Sequence, residues 1–347
     1  MSGLQHLALF LNWNWPDNEN NMHSTLSPAP RLLADIGGTN ARFALQVDGQ
    51  FVAIDALACA DYPNLGAAID AYLARAAALG FATHAIRHVA IAIANPVEDD
   101  LVRMTNHHWS FSVARLRAER QFITLLVVND FAALAMSLPY LRPEQRERIG
   151  TGPGGGAGLS GRPIGLIGPG TGLGVSGAVQ AGGQWMALAG EGGHASFAPN
   201  TDDEIVLLQA LKREFGHVSA ERVLSGTGLE MIHRTLAGEH LDVASITGRA
   251  LGSRDAACMR TIGCFCGVLG SVAGNVALTL GATGGMYIGG GIVPRLGKLF
   301  TQSTFRQRFE DKGRLAPYLA RIPTWLITEQ FPALVGVAAM LAEKVKD

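Results

Sequence analysis

Residues 32–45 read L-L-A-D-I-G-G-T-N-A-R-F-A-L, and the reading of this stretch decides the fold. An apolar run ends at Asp35. Gly37, Gly38 and Thr39 follow, and after Arg42 the sequence turns apolar again. Strand, two-glycine turn, strand is a hairpin pattern. The glycines permit positive φ and keep side chains away from the backbone N–H groups. N–H groups exposed in a tight turn form an anion-binding nest. Asp35, at the strand end, would orient a hydrated cation on the same anion. A phosphate-binding hairpin and a plain tight turn both fit this fragment, so the rest of the chain must separate them.

Composition narrows the choice. The chain has 347 residues, enough for two domains with ample core. Lys and Arg number 28 against 29 Asp and Glu, which argues against a nucleic-acid surface, since such a surface would bring a strong basic excess. Charged residues make up 16%, below the ~25% usual for soluble domains, so much of the chain is expected to be buried. The 43 glycines are about 12% of the chain against an average of ~7%, and they cluster in short runs between apolar segments, as ligand-cradling loops do. Cys59, Cys258, Cys264 and Cys266 fit no zinc spacing and read as buried reduced thiols. That suits a cytoplasmic enzyme.

Outward from the hairpin, Leu65, Ala68, Ile69, Tyr72, Leu73 and Ala76 recur at helical spacing. Residues 89–94 form an apolar strand stopped by Asn95-Pro96, and residues 104–111 a polar, aromatic loop. Residues 123–128 are a second buried strand, ending at Asn129-Asp130 before a helical segment. Alternating helices and strands behind a hairpin indicate an α/β layer with a largely parallel core. A Pro- and Gly-rich break at 139–163 separates this from a second unit, where the theme returns. A strand at 164–167 runs into G-P-G-T-G-L-G at 168–174 and then a strand at 175–179.

Beyond lie G-E-G-G-H at 190–194 and a capping-box spacing at Thr201 and Glu204. Ile205, Leu208, Leu211 and Phe215 would form the apolar face of the helix behind that cap. A short helix is expected within 216–226. A strand at 286–288 ends in Gly289-Gly290-Gly291, a last strand covers 325–327, and an amphipathic helix closes the chain.

Residues 261–294 contain no Asp, Glu, Lys or Arg and include Gly270-x-x-x-Gly274. By length they could cross a bilayer. Asn275 and the clusters Gly284-Gly285 and Gly289–Gly291 interrupt the run, so a buried helix ending near Gly281 fits better. Residues 1–30 have no Lys or Arg, hence no signal-peptide n-region. They are expected to form a flexible extension, with Met22 as an alternative start.

Neither G-x-x-x-x-G-K nor a register of G-x-G-x-x-G at 168–174 is present, which disfavours a P-loop and a dinucleotide site. Two glycine–threonine hairpins, an acid at a strand end between them and a third glycine turn resemble the actin/hexokinase/Hsp70 arrangement instead. More closely, the chain resembles the bacterial ATP-dependent glucokinase family. The resemblance rests on D-I-G-G-T-N-A-R (35–42), M-T-N-H (104–107), N-D-F (129–131), G-T-G-L-G (170–174), G-E-G-G-H (190–194), H-V-S-A-E-R-V-L-S-G (217–226) and G-G-G-I-V-P-R (289–295), in that order. His108 and residues 94–100 depart from the pattern, and the first 30 residues have no counterpart in it.

The resemblance implies an α/β fold of two actin-like ATPase (ribonuclease H-like) domains with an interdomain cleft. The expected boundaries are 1–30 for the extension, 31–140 plus 330–347 for a small domain, and 141–329 for a large one. It implies phosphoryl transfer from ATP, with Mg²⁺ bound mainly to the nucleotide, to the 6-hydroxyl of D-glucose. Asp130 would accept the hydroxyl proton, and Asn129, Asp130, Glu191, His194 and Glu221 would form the sugar site.

Ala34, Asp35, Ile36, Gly37, Gly38 and Thr39, with Gly170, Thr171 and Gly172, would hold the phosphates, and Gly289, Gly290 and Gly291 would lie near adenosine. A homodimer acting on small molecules, without nucleic acid or membrane, is expected. Each residue also has a plainer reading. Asp130 would cap the following helix, Asn129 would be a turn residue, His194 a core histidine, and Glu221 a solvated residue favourable to a helix dipole. The rival functions are a kinase of this fold acting on another hexose, and a sugar-sensing regulator without catalysis. The regulator would need a DNA-binding module that the first 30 residues do not supply.

Overall fold

The computed structural model describes residues 29–105, 107–150 and 161–345, so the expected extension (apart from its last two residues), Asn106 of the M-T-N-H motif and much of the glycine-rich break lie outside the described residues. The chain divides into two units. One comprises residues 1–137 with 331–347, the other residues 138–330.

The first unit begins with β1 (Arg31–Ile36), β2 (Asn40–Val47) and β3 (Gln50–Ala58), followed by α1 (Leu65–Ala78) and β4 (His88–Ile93). A small two-stranded ladder of β5 (Leu101–Arg103) and β6 (Ser110–Ser112) precedes α2 (Val113–Glu119), β7 (Thr124–Asn129) and α3 (Asp130–Ser137). The main sheet runs β3-β2-β1-β4-β7. Its first three strands form an antiparallel meander, while β1, β4 and β7 are parallel.

β1 and β4 are almost wholly apolar because both faces of the sheet are covered. Leu32, Ile36, Phe43, Ile69, Tyr72, Ile91 and Trp109 belong to one core. The 104–111 segment is not a loop throughout: Ser110 and Phe111 pair with Arg103 and Val102 as part of a short hairpin.

The second unit holds β8 (Arg146–Ile149), β9 (Ile164–Pro169), β10 (Leu173–Ala181), β11 (Gln184–Leu188), α4 (Asp202–Glu214), α5 (Gly226–Ala237), α6 (Val243–Gly252) and α7 (Ala256–Leu280). Then come β12 (Gly285–Ile288), the short helices α8 (Val293–Leu296), α9 (Lys298–Thr301), α10 (Phe305–Glu310) and α11 (Ala316–Ala320), and β13 (Thr324–Ile327). The last helix, α12 (Pro332–Lys344), returns to the first unit.

The sheet of the second unit runs β11-β10-β9-β12-β13-β8. It repeats the first unit's plan of an antiparallel meander followed by two further parallel strands, with β8 added antiparallel at the edge. A duplicated meander-plus-parallel sheet is the ribonuclease H-like topology of actin-like kinases.

The charge-free run 261–294 begins inside one long helix, α7. α7 is long and apolar enough to span a bilayer, but most of its apolar window is buried inside the second unit. It ends at Gly281, which takes a left-handed φ of 59°. The glycines of its G-x-x-x-G face α10. A Cβ at Gly270 would stand 2.2 Å from the Phe305 carbonyl oxygen, and one at Gly274 would stand 2.6 Å from that of Phe309. Close helix contact within the fold accounts for the small residues.

Three local expectations are corrected. Residues 216–225 form turns, and helix α5 starts only at Gly226. α4 buries Glu204, Leu207 and Leu211, whereas Ile205 is exposed, so the apolar face is rotated from the one expected. The rotation follows from Glu204, whose buried carboxylate takes two hydrogen bonds of 2.8 and 3.1 Å from Arg308 on α10. The capping box is also displaced. Thr201 accepts from the Glu204 N–H at 3.4 Å, but the Glu204 carboxylate takes the Asn200 N–H at 2.7 Å.

Candidate functional site

In the first unit, Ile36 is level with Ile93 across β1–β4, and Ile93 with Asn129 across β4–β7. Asp35 and Asn129-Asp130 therefore sit at one edge of the sheet, where three parallel strands end. In α/β sheets this carboxyl edge is where ligands bind. Asp35 faces Arg42 across the β1–β2 register, and Arg42 Nη1 donates to its Oδ2 at 3.3 Å. Burial pushes the Asp35 carboxyl above the ordinary range, and Arg42 pulls it partly back.

The Asp130 carboxyl is pushed up to about 6, first by burial and then by the negative charge of Asp35. Its Oδ1 accepts from Asn129 Nδ2 at 3.1 Å and from the Phe131 N–H at 2.9 Å. Among the described residues Oδ2 has no partner.

Asn129 takes the capping role that the sequence offered to Asp130. Its Oδ1 accepts from the N–H groups of Phe131 and Ala132 at 2.9 and 3.1 Å, which satisfies the first turn of α3. Its Nδ2 also donates to the Asn95 carbonyl at 3.4 Å. Asn95, which reads in the sequence only as a strand stop, accepts the Thr105 N–H at 3.2 Å and so ties the 104–109 loop to this edge.

The Gly37–Thr39 turn closes through Gly37 N–H to the Asn40 carbonyl at 2.9 Å. Cys59 fastens it from beneath. Its N–H donates to the Thr39 carbonyl at 2.8 Å and its thiol to that of Gly37 at 3.5 Å. Neither Gly37 nor Gly38 has a positive φ, so the expected left-handed backbone is absent from this turn. What the glycines leave open is the approach to the N–H groups of Gly38 and Thr39, which donate to no protein acceptor among the described residues.

The second unit repeats this feature twice. The 170–172 turn closes through Gly170 N–H to the Gly172 carbonyl at 2.8 Å, leaving the N–H groups of Thr171 and Gly172 free among the described residues. The 289–291 turn lies against the end of β9. Gly289 N–H donates to Ile167 at 2.8 Å and Ile292 N–H to Pro169 at 3.3 Å, while Gly290 and Gly291 keep free N–H groups among the described residues. Here glycine is obligatory. Gly290 has φ +79°, and a Cβ would stand 2.3 Å from the Pro169 carbonyl oxygen. Paired, accessible N–H groups in a tight turn suit an anion such as phosphate.

The 190–194 loop and the 217–226 segment are stitched to each other. Glu221 N–H donates to the Gly193 carbonyl at 2.9 Å, Ala220 N–H to that of Ala195 at 2.8 Å, and Phe197 N–H to that of Val218 at 2.9 Å. Gly193 is forced by close packing, since a Cβ would stand 2.0 Å from the Leu173 carbonyl oxygen. Glu191 and His194 are both exposed, with His194 Nε2 3.9 Å from Glu191 Oε2. That removes the core-histidine reading. With no helix over 216–225, the helix-dipole reading of Glu221 is removed as well. Glu221 Oε2 instead accepts the Leu173 N–H at 2.9 Å, a bond with no local sequence signal. No cluster of three or more metal-ligating side chains exists among the described residues.

The glucokinase family model matches residues 32–344. The chain is 52% identical over 326 residues to the "Bifunctional protein glk" of Burkholderia pseudomallei, covering 92% of this chain and 49% of that protein. It thus spans about half the length of that relative. It is also 52% identical over 321 residues to the glucokinase of Chromobacterium violaceum, covering 90% of each. The crystal structure of a glucokinase from an Antarctic psychrotroph superposes with a TM-score of 0.80 at 36% identity, covering 90% of this chain and 99% of that one. With the duplicated sheet, the three open glycine turns and a match from β1 to the end of α12, the chain belongs to the glucokinase family.

Proposed function

We propose that the protein is a glucokinase that transfers the γ-phosphate of ATP to the 6-hydroxyl of D-glucose, giving glucose 6-phosphate and ADP. The observation that carries this reading is Asp130, a carboxylate at the ligand-binding edge of a parallel sheet, in a chain of this family, with one oxygen fixed and the other free. Two donors on Oδ1 orient the group. Oδ2 is then available to accept the proton as the sugar oxygen bonds to the γ-phosphorus. The bond from that phosphorus to the β,γ-bridging oxygen breaks, and ADP leaves with the electron pair. A carboxyl near 6 is ionised at neutral pH yet basic enough to take a proton. Because phosphoryl transition states are loose, aligning the hydroxyl matters as much as deprotonating it.

Glu191, His194, Glu221 and Asn129 complete the proposed sugar site, an acid-rich set suited to several hydroxyls. Asn129 acts chiefly through Asp130, since its amide is already committed to the helix cap and the carboxylate. Ala34–Thr39 and Gly170–Gly172 are assigned to the phosphates and Gly289–Gly291 to the nucleoside end. The open N–H pairs support this. Mg²⁺ would arrive bound to ATP and neutralise phosphate charge, and Asp35, without a cage of ligands around it, fits that role. We take the protein to be a cytoplasmic homodimer acting on free small molecules, with a net charge of −1 and no nucleic-acid or membrane partner.

Glucose-dependent ADP formation tests the activity, and its absence would overturn it. Asp130→Asn should lower kcat by about 10²–10⁴-fold while glucose still binds by calorimetry. Retained turnover would remove Asp130 from the chemistry. A panel of mannose, fructose and N-acetylglucosamine separates glucokinase from the other sugar kinases of this fold.

A further inference from the structure

We propose that Glu221 couples sugar occupancy to the 170–173 turn, so that glucose sets the shape of the turn assigned to the phosphates before nucleotide binds. This rests on the reading of Glu221 as a sugar-contacting acid.

Three observations within the second unit carry it. First, the two oxygens of the carboxylate have different surroundings. Oε2 accepts the Leu173 N–H at 2.9 Å, while Oε1 has no partner among the described residues. Second, Oε2 fills the space that a side chain at residue 172 would need. A Cβ on Gly172 would stand 2.5 Å from it, so this glycine admits Glu221 as well as any ligand. Third, the same segments meet elsewhere. Gly226 N–H donates to the Gly170 carbonyl at 3.0 Å, and Glu221 N–H holds the Gly193 carbonyl at 2.9 Å. The turn, the 190–194 loop and the 217–226 segment are therefore tied to one another by hydrogen bonds.

A sugar hydroxyl donating to Oε1 would immobilise the carboxylate and, through Oε2, the Leu173 amide at the end of the turn. The adjacent free N–H groups of Thr171 and Gly172 would then be held where a phosphate meets them. Linkage makes the effect mutual, so a turn ordered by phosphate presents Glu221 to the sugar with the same gain. Glu221 is thus a sugar contact and also a positioning residue for the neighbouring turn.

The test uses the full chain with no nucleotide present. Glucose affinity is measured by titration calorimetry for the wild type, Gly172→Ala, Glu221→Ala and the double variant. Gly172→Ala, a change in the phosphate turn, should weaken glucose by roughly tenfold, about one charge-assisted hydrogen bond. Glu221→Ala should weaken it at least as much, and the double variant should be no worse than Glu221→Ala. Hydrogen exchange at the Leu173 amide should slow on adding glucose to the wild type but not to Glu221→Ala.

Unchanged glucose affinity in Glu221→Ala removes the sugar contact, and the coupling with it. Weakened binding in Glu221→Ala with none in Gly172→Ala leaves the sugar contact standing and overturns the coupling. If Gly172→Ala does not fold, the wild-type exchange experiment decides. Glucose-dependent slowing at Leu173 supports the coupling, and unchanged exchange refutes it.

Discussion

Burial and the charge of Asp35 raise the Asp130 carboxyl from 3.8 to about 6, so the folded chain holds that proton more tightly than the unfolded chain does. Below pH 4 the group is protonated in both states and imposes no penalty. Between 4 and 6 the unfolded state loses its proton first, and stability falls as pH rises. Above 6 the penalty is complete, about 3 kcal/mol at most. Asp130→Asn is therefore expected to raise the midpoint of thermal unfolding at pH 7.5 and to leave it unchanged near pH 3.5, as melts at the two pH values would show. Activity runs the other way, because only the ionised group accepts a proton. In the wild type kcat/KM should decline as pH drops through about 6. The position of Asp130 was legible in the sequence, since N-D-F directly follows an apolar run, although that run is a half-buried strand at the end of the sheet and not a buried one. The division of labour with Asn129 was not. Which side chain caps α3 depends on where the helix begins, and both residues have the chemistry to do it.

Helix α3 is placed by α12. A Cβ on Gly336 would stand 1.7 Å from the carbonyl oxygen of Ala133, one turn beyond Asp130, so the helices cross with backbone nearly touching backbone. Gly336→Ala should cost about 1–3 kcal/mol or more through overpacking. It should also lower kcat by shifting α3, measured by thermal melts and steady-state kinetics. In the second unit, the buried Glu204 carboxylate depends on Arg308 at 2.8 Å. Arg308→Met should destabilise by about 3–5 kcal/mol because it strands a buried charge. Adding Glu204→Gln should restore part of the loss, read from denaturant unfolding. Most strands and long helices were legible from apolar periodicity. Residues 216–225 look helical in the sequence and do make single local turns over 219–224, but bonds to residues 193–197 hold 218–221 and no helix continues through them. Strand β8 escaped notice because R-E-R-I has one apolar residue, and its place comes from pairing with the distant β13.

At the scale of the chain, the second unit is continuous in sequence and the first is not. Residues 138–330 made alone should fold, with native-like circular dichroism and a cooperative melt. Residues 29–137 alone should not, until 331–347 is supplied in cis or as a peptide. The reason is area: α12 presents Leu334, Val335, Val337, Ala338 and Leu341, all buried, against the rest of its unit. The duplicated plan was visible from the two Gly-Thr turns, whereas the placing of 330–347 with the small domain came from the family resemblance and not from the helix's own pattern, because an amphipathic helix does not name the surface it will cover.

That membership sets a timetable for synthesis. The first unit's strands leave the ribosome early but lack their closing helix until residues 332–344 are translated. At a rate of about 5–20 residues per second, they wait for tens of seconds while the whole second unit is made. Over that interval the apolar floor meant for α12, including the back of the helix that carries Asp130, stands open. A nascent chain stalled near residue 330 should therefore be the species most prone to aggregate, and the one most protected by a chaperone.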